Sequence, residues 1–138
     1  MISNNKVKKI LLVDDEPDVI YAIKNILEDN GFQIDSFNDS ILALKSYKIN
    51  FYDLVILDIK MPKMDGFELY IKIREKDPKV KICFLTASEM YYKKFRKTRS
   101  EFGKIIEEEC LIQKPIKNEE LIRKLNFVMN TDITTKHI

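Results

Sequence analysis

The hydrophobic residues of this chain alternate between short unbroken runs and longer segments in which they recur every three or four positions. The run KILLV, residues Lys9–Val13, is typical of a strand covered on both faces. The next segment, Pro17–Asp29, has apolar residues at positions 19, 20, 23, 26 and 27, which form one stripe on a helix. Pro17 suits the first turn of that helix and Gly31 suits its end. This part of the chain therefore predicts a strand followed by an amphipathic helix.

The same alternation repeats along the rest of the chain. Further strands are predicted at residues 32–37, 54–57, 81–86 and 110–113, and further helices at residues 39–47, 66–76, 88–108 and 118–129. Strands that alternate with helices favour a parallel sheet with helices on both faces, because each crossover returns over the sheet with the same hand. The sequence therefore predicts a single α/β domain over residues 1–130, followed by a short polar tail at residues 131–138.

Composition limits the possible partners. The 138 residues carry 24 basic and 22 acidic side chains, and the resulting net charge of +2 gives no general reason to expect nucleic acid or a membrane. No apolar run approaches the roughly 18 to 20 residues of a membrane span, so we expect a cytoplasmic protein. The single histidine, His137, falls in the predicted tail, where a solvated side chain is the simplest interpretation.

The two cysteines, Cys83 and Cys110, each lie in a short apolar run and lack the close spacing of a zinc or redox motif. Cysteine is among the residue types that are most often buried. We interpret both as small buried hydrophobic residues, and a disulfide between them is the alternative.

Polar residues that can carry chemistry follow four of the predicted strands, at the point where each strand ends. They are Asp14, Asp15 and Glu16 after the first strand, Asp58 after the third, Thr86 after the fourth, where Ala87 follows it, and Lys114 after the fifth, where Pro115 follows it. In an open parallel sheet the functional site forms outside the carboxyl ends of the strands. These residues are therefore expected to meet at one rim.

Three aspartates at one rim would raise one another's pKa unless a cation lay between them. Mg²⁺ accepts a few carboxylate ligands and leaves positions for a phosphoryl group, while Lys114 and Thr86 would bind the remaining phosphoryl oxygens. Asp58 directly follows the most continuous apolar strand and is best placed to act as a nucleophile that forms an acyl phosphate. The pattern predicts magnesium-dependent phosphoryl transfer.

Each of these residues also has a structural interpretation when it is taken alone. The acidic residues 14–16 would suit a helix N-terminus, Thr86 could cap a helix, and Lys114 could be a solvated surface lysine. Their convergence at one rim favours the functional interpretation.

At these residues the sequence resembles the receiver domain of two-component response regulators. The motifs are ILLVDDEPDV at 10–19, LVILDIKMPKMDG at 54–66, FLTA at 84–87 and LIQKP at 111–115. They occur in the order of that family and span nearly the whole chain. The resemblance implies a flavodoxin-like, doubly wound (βα)5 fold with a five-stranded parallel sheet in the order 2-1-3-4-5.

The resemblance also implies a role for each site residue. Asp58 would be the phosphoacceptor. Asp15 would bind Mg²⁺ directly and Asp14 through water, together with Asp58 and the backbone carbonyl of Lys60. Thr86 and Lys114 would contact the phosphoryl group.

Two backbone features follow from the resemblance as well. The peptide bond before Pro115 is expected to be cis, which proline makes accessible. Asp65 and Gly66 would form the turn that begins the third helix.

The implied function is that of a single-domain response regulator. A sensor histidine kinase or phosphotransfer protein would phosphorylate Asp58, and the output would be altered binding to an unknown protein target rather than to nucleic acid or a membrane. The protein would be a monomer or weak homodimer. It would not be an enzyme in the usual sense, because it would catalyse only its own phosphorylation and dephosphorylation. Lys60 and Ser88 are expected to flank the path of attack and tune the lifetime of the phosphorylated state.

The region between Thr86 and Lys114 departs from the family pattern. It is several residues longer than usual and predicts an extended fourth helix, and Leu111 stands where the family usually carries a switching aromatic residue. The basic stretch YYKKFRKTR at 91–99 is interpreted as a solvated helix surface rather than a nucleic-acid site, and an acidic protein partner stays open.

Two other functions remain as alternatives. One is a receiver-like interaction module that works without phosphorylation, for which Leu111 gives some support. The other is a phosphohydrolase that uses an aspartyl phosphate, which would need a second acidic residue at the position of Lys60.

Overall fold

The computed structural model describes residues 6–88, 90, 92–93 and 110–130. Strands and helices alternate along these residues in the order β1 (Lys9–Val13), α1 (Pro17–Asp29), β2 (Gln33–Phe37), α2 (Ser40–Lys45), β3 (Leu54–Asp58), α3 (Gly66–Lys76), β4 (Lys81–Thr86), β5 (Cys110–Gln113) and α4 (Asn118–Asn130). Residues 90, 92 and 93 are helical too, within the helix predicted at 88–108. The rest of that extended helix, most of the basic stretch at 91–99 and the tail at 131–138 lie outside the described residues.

The five strands form one parallel sheet in the order β2-β1-β3-β4-β5. The predicted α/β fold and its strand order are confirmed. Several boundaries differ from the prediction by one or two residues. Helix α2 runs from Ser40 to Lys45 rather than over residues 39–47, and Asp58 is the last residue of β3 rather than the first residue after it. Asp58 is therefore held by the ladder of the sheet.

Each face of the sheet carries its own hydrophobic core, because successive side chains of a strand point to opposite faces. Ile10 and Leu12 of β1 pack in a cluster with residues of α1 and α4, whereas Leu11 and Val13 pack in a second cluster with residues of α2 and α3. Helices therefore cover both faces, as predicted. None of the described helices is both long enough and apolar enough to cross a membrane.

The turns between these elements follow from residue chemistry. The Asp65 side chain accepts a hydrogen bond of 2.9 Å from the Glu68 N–H and caps α3, which confirms the predicted turn at Asp65 and Gly66. Gly31 ends α1 with a φ of 88°, a conformation that glycine adopts without steric cost. Asp39 caps α2 in the same way as Asp65 caps α3.

Candidate functional site

The backbone on both sides of Asp58 is anchored. All five residues of β3 are buried, and the Asp58 residue is 4% exposed. The Ile59 N–H donates to the Leu85 carbonyl at 3.0 Å, and the Ile59 carbonyl accepts from the Gly66 N–H at 2.8 Å. Strand β4 and the beginning of α3 therefore hold the Asp58 carboxylate at the carboxyl edge of the sheet.

Lys114 brings the acidic residues of two strands together. Its Nζ lies 2.9 Å from Asp14 Oδ2, 3.0 Å from Glu16 Oε1 and 3.5 Å from Asp58 Oδ1. Its own backbone N–H donates to the Thr86 carbonyl at 2.7 Å, and the following peptide bond to Pro115 is cis, as predicted. Lys114 is therefore a partly buried counter-ion, which rules out the solvated surface lysine considered above.

The electrostatics of the rim follow from the burial of like charges. Burial and the negative charge of Asp14 raise the pKa of Asp58 to about 7, with a smaller contribution from Asp15, while Lys114 opposes the shift. Burial also raises the pKa of Asp14, against the hydrogen bond from Lys114. Although burial lowers the pKa of Lys114, its hydrogen bonds to Asp14 and Glu16 raise it above its usual value. The rim has an excess of buried negative charge.

The acidic run after β1 has the donor set of a hard cation. Carboxylate oxygens of Asp14, Asp15 and Glu16 lie within 4.8 Å of one another. Mg²⁺ prefers oxygen ligands and commonly uses one or two carboxylates. A divalent cation here would also offset the repulsion that raises the pKa of Asp58. The residues present therefore fit Mg²⁺.

An open cleft of about 800 Å³ gives access to Asp58. It is lined by Asp15, Glu16, Asp58, Lys60, Met61, Pro62, Thr86, Ala87, Ser88 and Lys114. The Thr86 hydroxyl donates to the Ser88 carbonyl at 3.0 Å and accepts from the Ser88 N–H at 3.1 Å. Thr86 thus forms a local turn in the wall of the cleft.

The structure brings the predicted site residues to one rim. Lys114 contacts both Asp14 and Asp58, and Asp15, Lys60 and Thr86 line the cleft with Asp58 and Lys114. Glu16 was predicted to lie at this rim but was given no role there, yet it forms an ion pair with Lys114 and belongs to the acidic cluster. Its position directly after the two aspartates was the available signal.

A second residue that the sequence did not indicate is Tyr92. It is 6% exposed and packs on Phe67 and Phe84, with ring centroids 6.3 and 6.4 Å away. Its N–H donates to the Ser88 carbonyl, the same atom that accepts from Thr86. Leu111 packs half-buried against the same cluster. Tyr92 is therefore an aromatic side chain next to the Thr86 turn, while position 111 on β5 is aliphatic.

A model of the response regulator receiver domain matches residues 10–126 of the chain. The chain belongs to this family. Receiver domains are signalling domains of two-component systems that are phosphorylated on an aspartate in the presence of Mg²⁺ and interact with histidine kinases or phosphotransfer proteins.

Among curated proteins, the receiver domain is 32% identical over 119 residues to the transcriptional regulatory protein DltR of Streptococcus agalactiae. The match covers 86% of this chain and 50% of DltR, so the chain spans about half the length of that relative.

Solved structures of receiver domains match most of the chain. The response regulator TrrA of Thermotoga maritima, in complex with Mg²⁺-BeF, is 36% identical with a TM-score of 0.71, over 88% of this chain and 99% of TrrA. The receiver domain of the sensor histidine kinase PA1611 of Pseudomonas aeruginosa is 26% identical with a TM-score of 0.72, over 91% of this chain and 100% of that domain. The PA1611 structure has a magnesium ion coordinated in its active-site cleft.

Proposed function

We propose that Asp58 is the phosphoacceptor of this receiver domain. The observation that carries the proposal is the position of Lys114 Nζ, which contacts Asp14 at 2.9 Å and Asp58 at 3.5 Å beside an open cleft. This arrangement places a cation and buried carboxylates around one accessible nucleophile, as phosphoryl transfer requires.

In the proposed reaction an ionised Asp58 oxygen attacks the phosphorus of the donor. A P–O bond to Asp58 forms while the P–N or P–O bond to the leaving group breaks, and the leaving group takes up a proton from water. Lys114 stabilises the negative charge on the phosphoryl oxygens, and the Thr86 hydroxyl exchanges its hydrogen bond to the Ser88 carbonyl for one to a phosphoryl oxygen. Lys60 and Ser88, in the wall of the same cleft, flank the path of the donor and of the water that later hydrolyses the acyl phosphate.

Asp14, Asp15, Asp58 and the Lys60 carbonyl would hold the Mg²⁺ ion. When bound, the ion supplies positive charge that lowers the repulsion between the carboxylates and the incoming phosphoryl group. Asp14 is also held by the Glu16 N–H, which donates to its Oδ1 at 2.9 Å, so its carboxylate is oriented before a cation arrives.

A histidine kinase or a phosphotransfer protein would be the donor, and an altered protein contact would be the output. A phosphoryl group adds negative charge and acceptor oxygens at the rim. Because Thr86 and Lys114 lie at the ends of β4 and β5, new bonds to this group would shift the surface that those strands and the following helices form. The protein would act as a signalling domain that catalyses only its own phosphorylation and dephosphorylation.

Incubation with acetyl phosphate and Mg²⁺, followed by intact mass spectrometry, tests this proposal. We expect the wild type to gain one phosphoryl group and Asp58→Asn to gain none. Asp53→Asn is the matched control, because Asp53 lies just before β3 and accepts a hydrogen bond from the Lys9 N–H, far from the cleft. Equal labelling of Asp58→Asn and the wild type would disprove the proposal, and an unlabelled wild type would favour a phosphorylation-independent interaction module.

A further inference from the structure

Strands β4 and β5 bring the two cysteines of the chain side by side. Cys83 and Cys110 are direct register partners in this parallel pair. Register partners in neighbouring strands point to the same face, and both residues pack in the same core cluster, with Ile112 and Leu125 among its members. Both are thiols in this structure.

The spacing of the sheet is compatible with a covalent bond between them. Neighbouring strands lie about 4.7 to 4.9 Å apart. Disulfides join residues whose Cα atoms are about 4.4 to 6.8 Å apart, so the pair lies near the lower end of that range. A bond between such close neighbours departs from the most common disulfide geometry, which makes it easier to reduce.

The two thiols differ in access. Cys83 is fully buried in the middle of β4, whereas Cys110 is half-buried at the beginning of the edge strand β5. An oxidant from solvent therefore reaches Cys110 first, and Cys83 is the neighbour that can react with the oxidised sulfur. Cys110 would therefore be oxidised first and Cys83 would react second, as a sensor cysteine and a resolving cysteine do.

We propose that Cys83 and Cys110 are a reversible oxidation site that a hydroperoxide converts to a disulfide. The Cys110 thiolate attacks the peroxide, whose O–O bond breaks to give a sulfenic acid and one molecule of alcohol or water. The Cys83 sulfur then attacks the sulfenic sulfur, and the S–O bond breaks with release of water. The two thiols lose two electrons and two protons in total, the peroxide is reduced, and a cellular thiol restores the pair by exchange.

The bond would join the middle of β4 to the amino end of β5, away from the proposed phosphoacceptor rim. At the other ends of these strands the Lys114 N–H already donates to the Thr86 carbonyl. Oxidation would thus fasten the edge strand to its neighbour at both ends. We expect a higher Tm of the oxidised protein and an intact Asp58 site, so the proposal does not depend on the proposed function.

Treatment of the dilute full chain with hydrogen peroxide, followed by alkylation and intact mass spectrometry without reductant, tests the proposal. The expected product is a monomer that has lost two hydrogen atoms, resists alkylation at both cysteines and yields one linked pair of peptides containing Cys83 and Cys110. Dithiothreitol should return both thiols. Cys110→Ser should retain a Cys83 thiol that is protected in the folded protein.

A trapping reagent for sulfenic acid separates the outcomes further. Cys83→Ser should accumulate sulfenic acid at Cys110. If that buried substitution unfolds the chain, the linked peptides of the wild type serve as the test of the proposal. Sulfenic or sulfinic acid at Cys110 of the wild type with Cys83 still a thiol would overturn the proposal. Linkage found only between two chains would overturn it as well.

Discussion

Lys114 Nζ lies 2.9 Å from Asp14 Oδ2, in an ion pair whose Asp14 side chain is fully buried and whose Lys114 side chain is 14% exposed. Removal of the lysine would leave a buried carboxylate without its counter-charge. We expect Lys114→Gln to lower the free energy of unfolding by about 2 to 4 kcal/mol, measured by urea unfolding at neutral pH.

An exposed pair provides the control for that experiment. Lys48 Nζ lies 3.4 Å from Asp35 Oδ2, and the two side chains are 54% and 30% exposed. Lys48→Gln should cost less than about 1 kcal/mol, because solvent screens exposed pairs. Equal losses in the two variants would show that the Lys114 pair is not a buried one.

The titration of Asp58 predicts how stability depends on pH in the absence of metal. Its folded-state pKa of about 7 lies above the usual aspartate value of 3.8, so the folded protein binds this proton more tightly than the unfolded chain does. Ionised Asp58 therefore destabilises the fold increasingly as pH rises from 4 to 7. In EDTA at pH 8, Asp58→Asn should be more stable than the wild type by at least about 1 kcal/mol, and this difference should vanish near pH 4.

Asp39→Asn is a control in which stability at neutral pH should change in the opposite direction. Hydrogen bonds from the Leu42 and Ile41 N–H groups lower the pKa of Asp39, so its stabilising effect is present at neutral pH and is lost as pH falls through the folded-state pKa. Asp39→Asn should therefore be less stable than the wild type at neutral pH. If the free energy of unfolding of Asp58→Asn and of the wild type changed with pH in parallel, the buried-charge explanation would be contradicted.

Magnesium should stabilise the protein through Asp15 rather than through Glu16. A ligand at 100 times its Kd adds about 2.7 kcal/mol to the free energy of unfolding. We expect Asp15→Asn to abolish the rise in Tm with added Mg²⁺. Glu16→Gln should keep most of that rise, because Glu16 Oε1 is engaged with Lys114 at 3.0 Å. If both variants lost the Mg²⁺-dependent rise in Tm equally, the cluster of Asp14, Asp15 and Glu16 would instead be favoured as the ligand set.

Gly66 packs directly against the backbone of Asp58, the proposed phosphoacceptor. A Cβ atom at this position would overlap the Asp58 carbonyl oxygen and approach Ile59 Cα to 2.9 Å. We expect Gly66→Ala to cost about 1 to 3 kcal/mol and, by displacing Asp58, to slow labelling by acetyl phosphate at least about 10-fold.

The matched control is Gly31→Ala, where an added Cβ meets no heavy atom within 4 Å but the φ of +88° is strained. It should cost about 1 to 2 kcal/mol and leave the labelling rate unchanged. A Gly66→Ala variant that is labelled at the wild-type rate would show that the contact does not position Asp58.

The sequence by itself determined the alternation of strands and helices and the rim at which the site forms. Buried runs such as Lys9–Val13 and the helical stripe of Pro17–Asp29 are local patterns, and parallel crossovers have one hand, so the α/β class follows from them, while the order of the strands was implied by the resemblance to receiver domains. The acidic run after β1, Asp58 and Lys114 were found in the same way, because every strand of a parallel sheet ends at the same edge.

Only the tertiary structure decided which side chains touch. The ion pair of Lys114 with Glu16, the contact of Gly66 with Asp58, the packing of Tyr92 and the register of Cys83 with Cys110 all join residues that are separate in the chain. The hydrophobic periodicity of the sequence indicates which face of a strand or helix a residue occupies. Contact between two side chains depends also on the register of the strands and on how helices pack across them. The shift of Asp58 to a pKa of about 7 depends on the same packing, since it arises from burial beside Asp14.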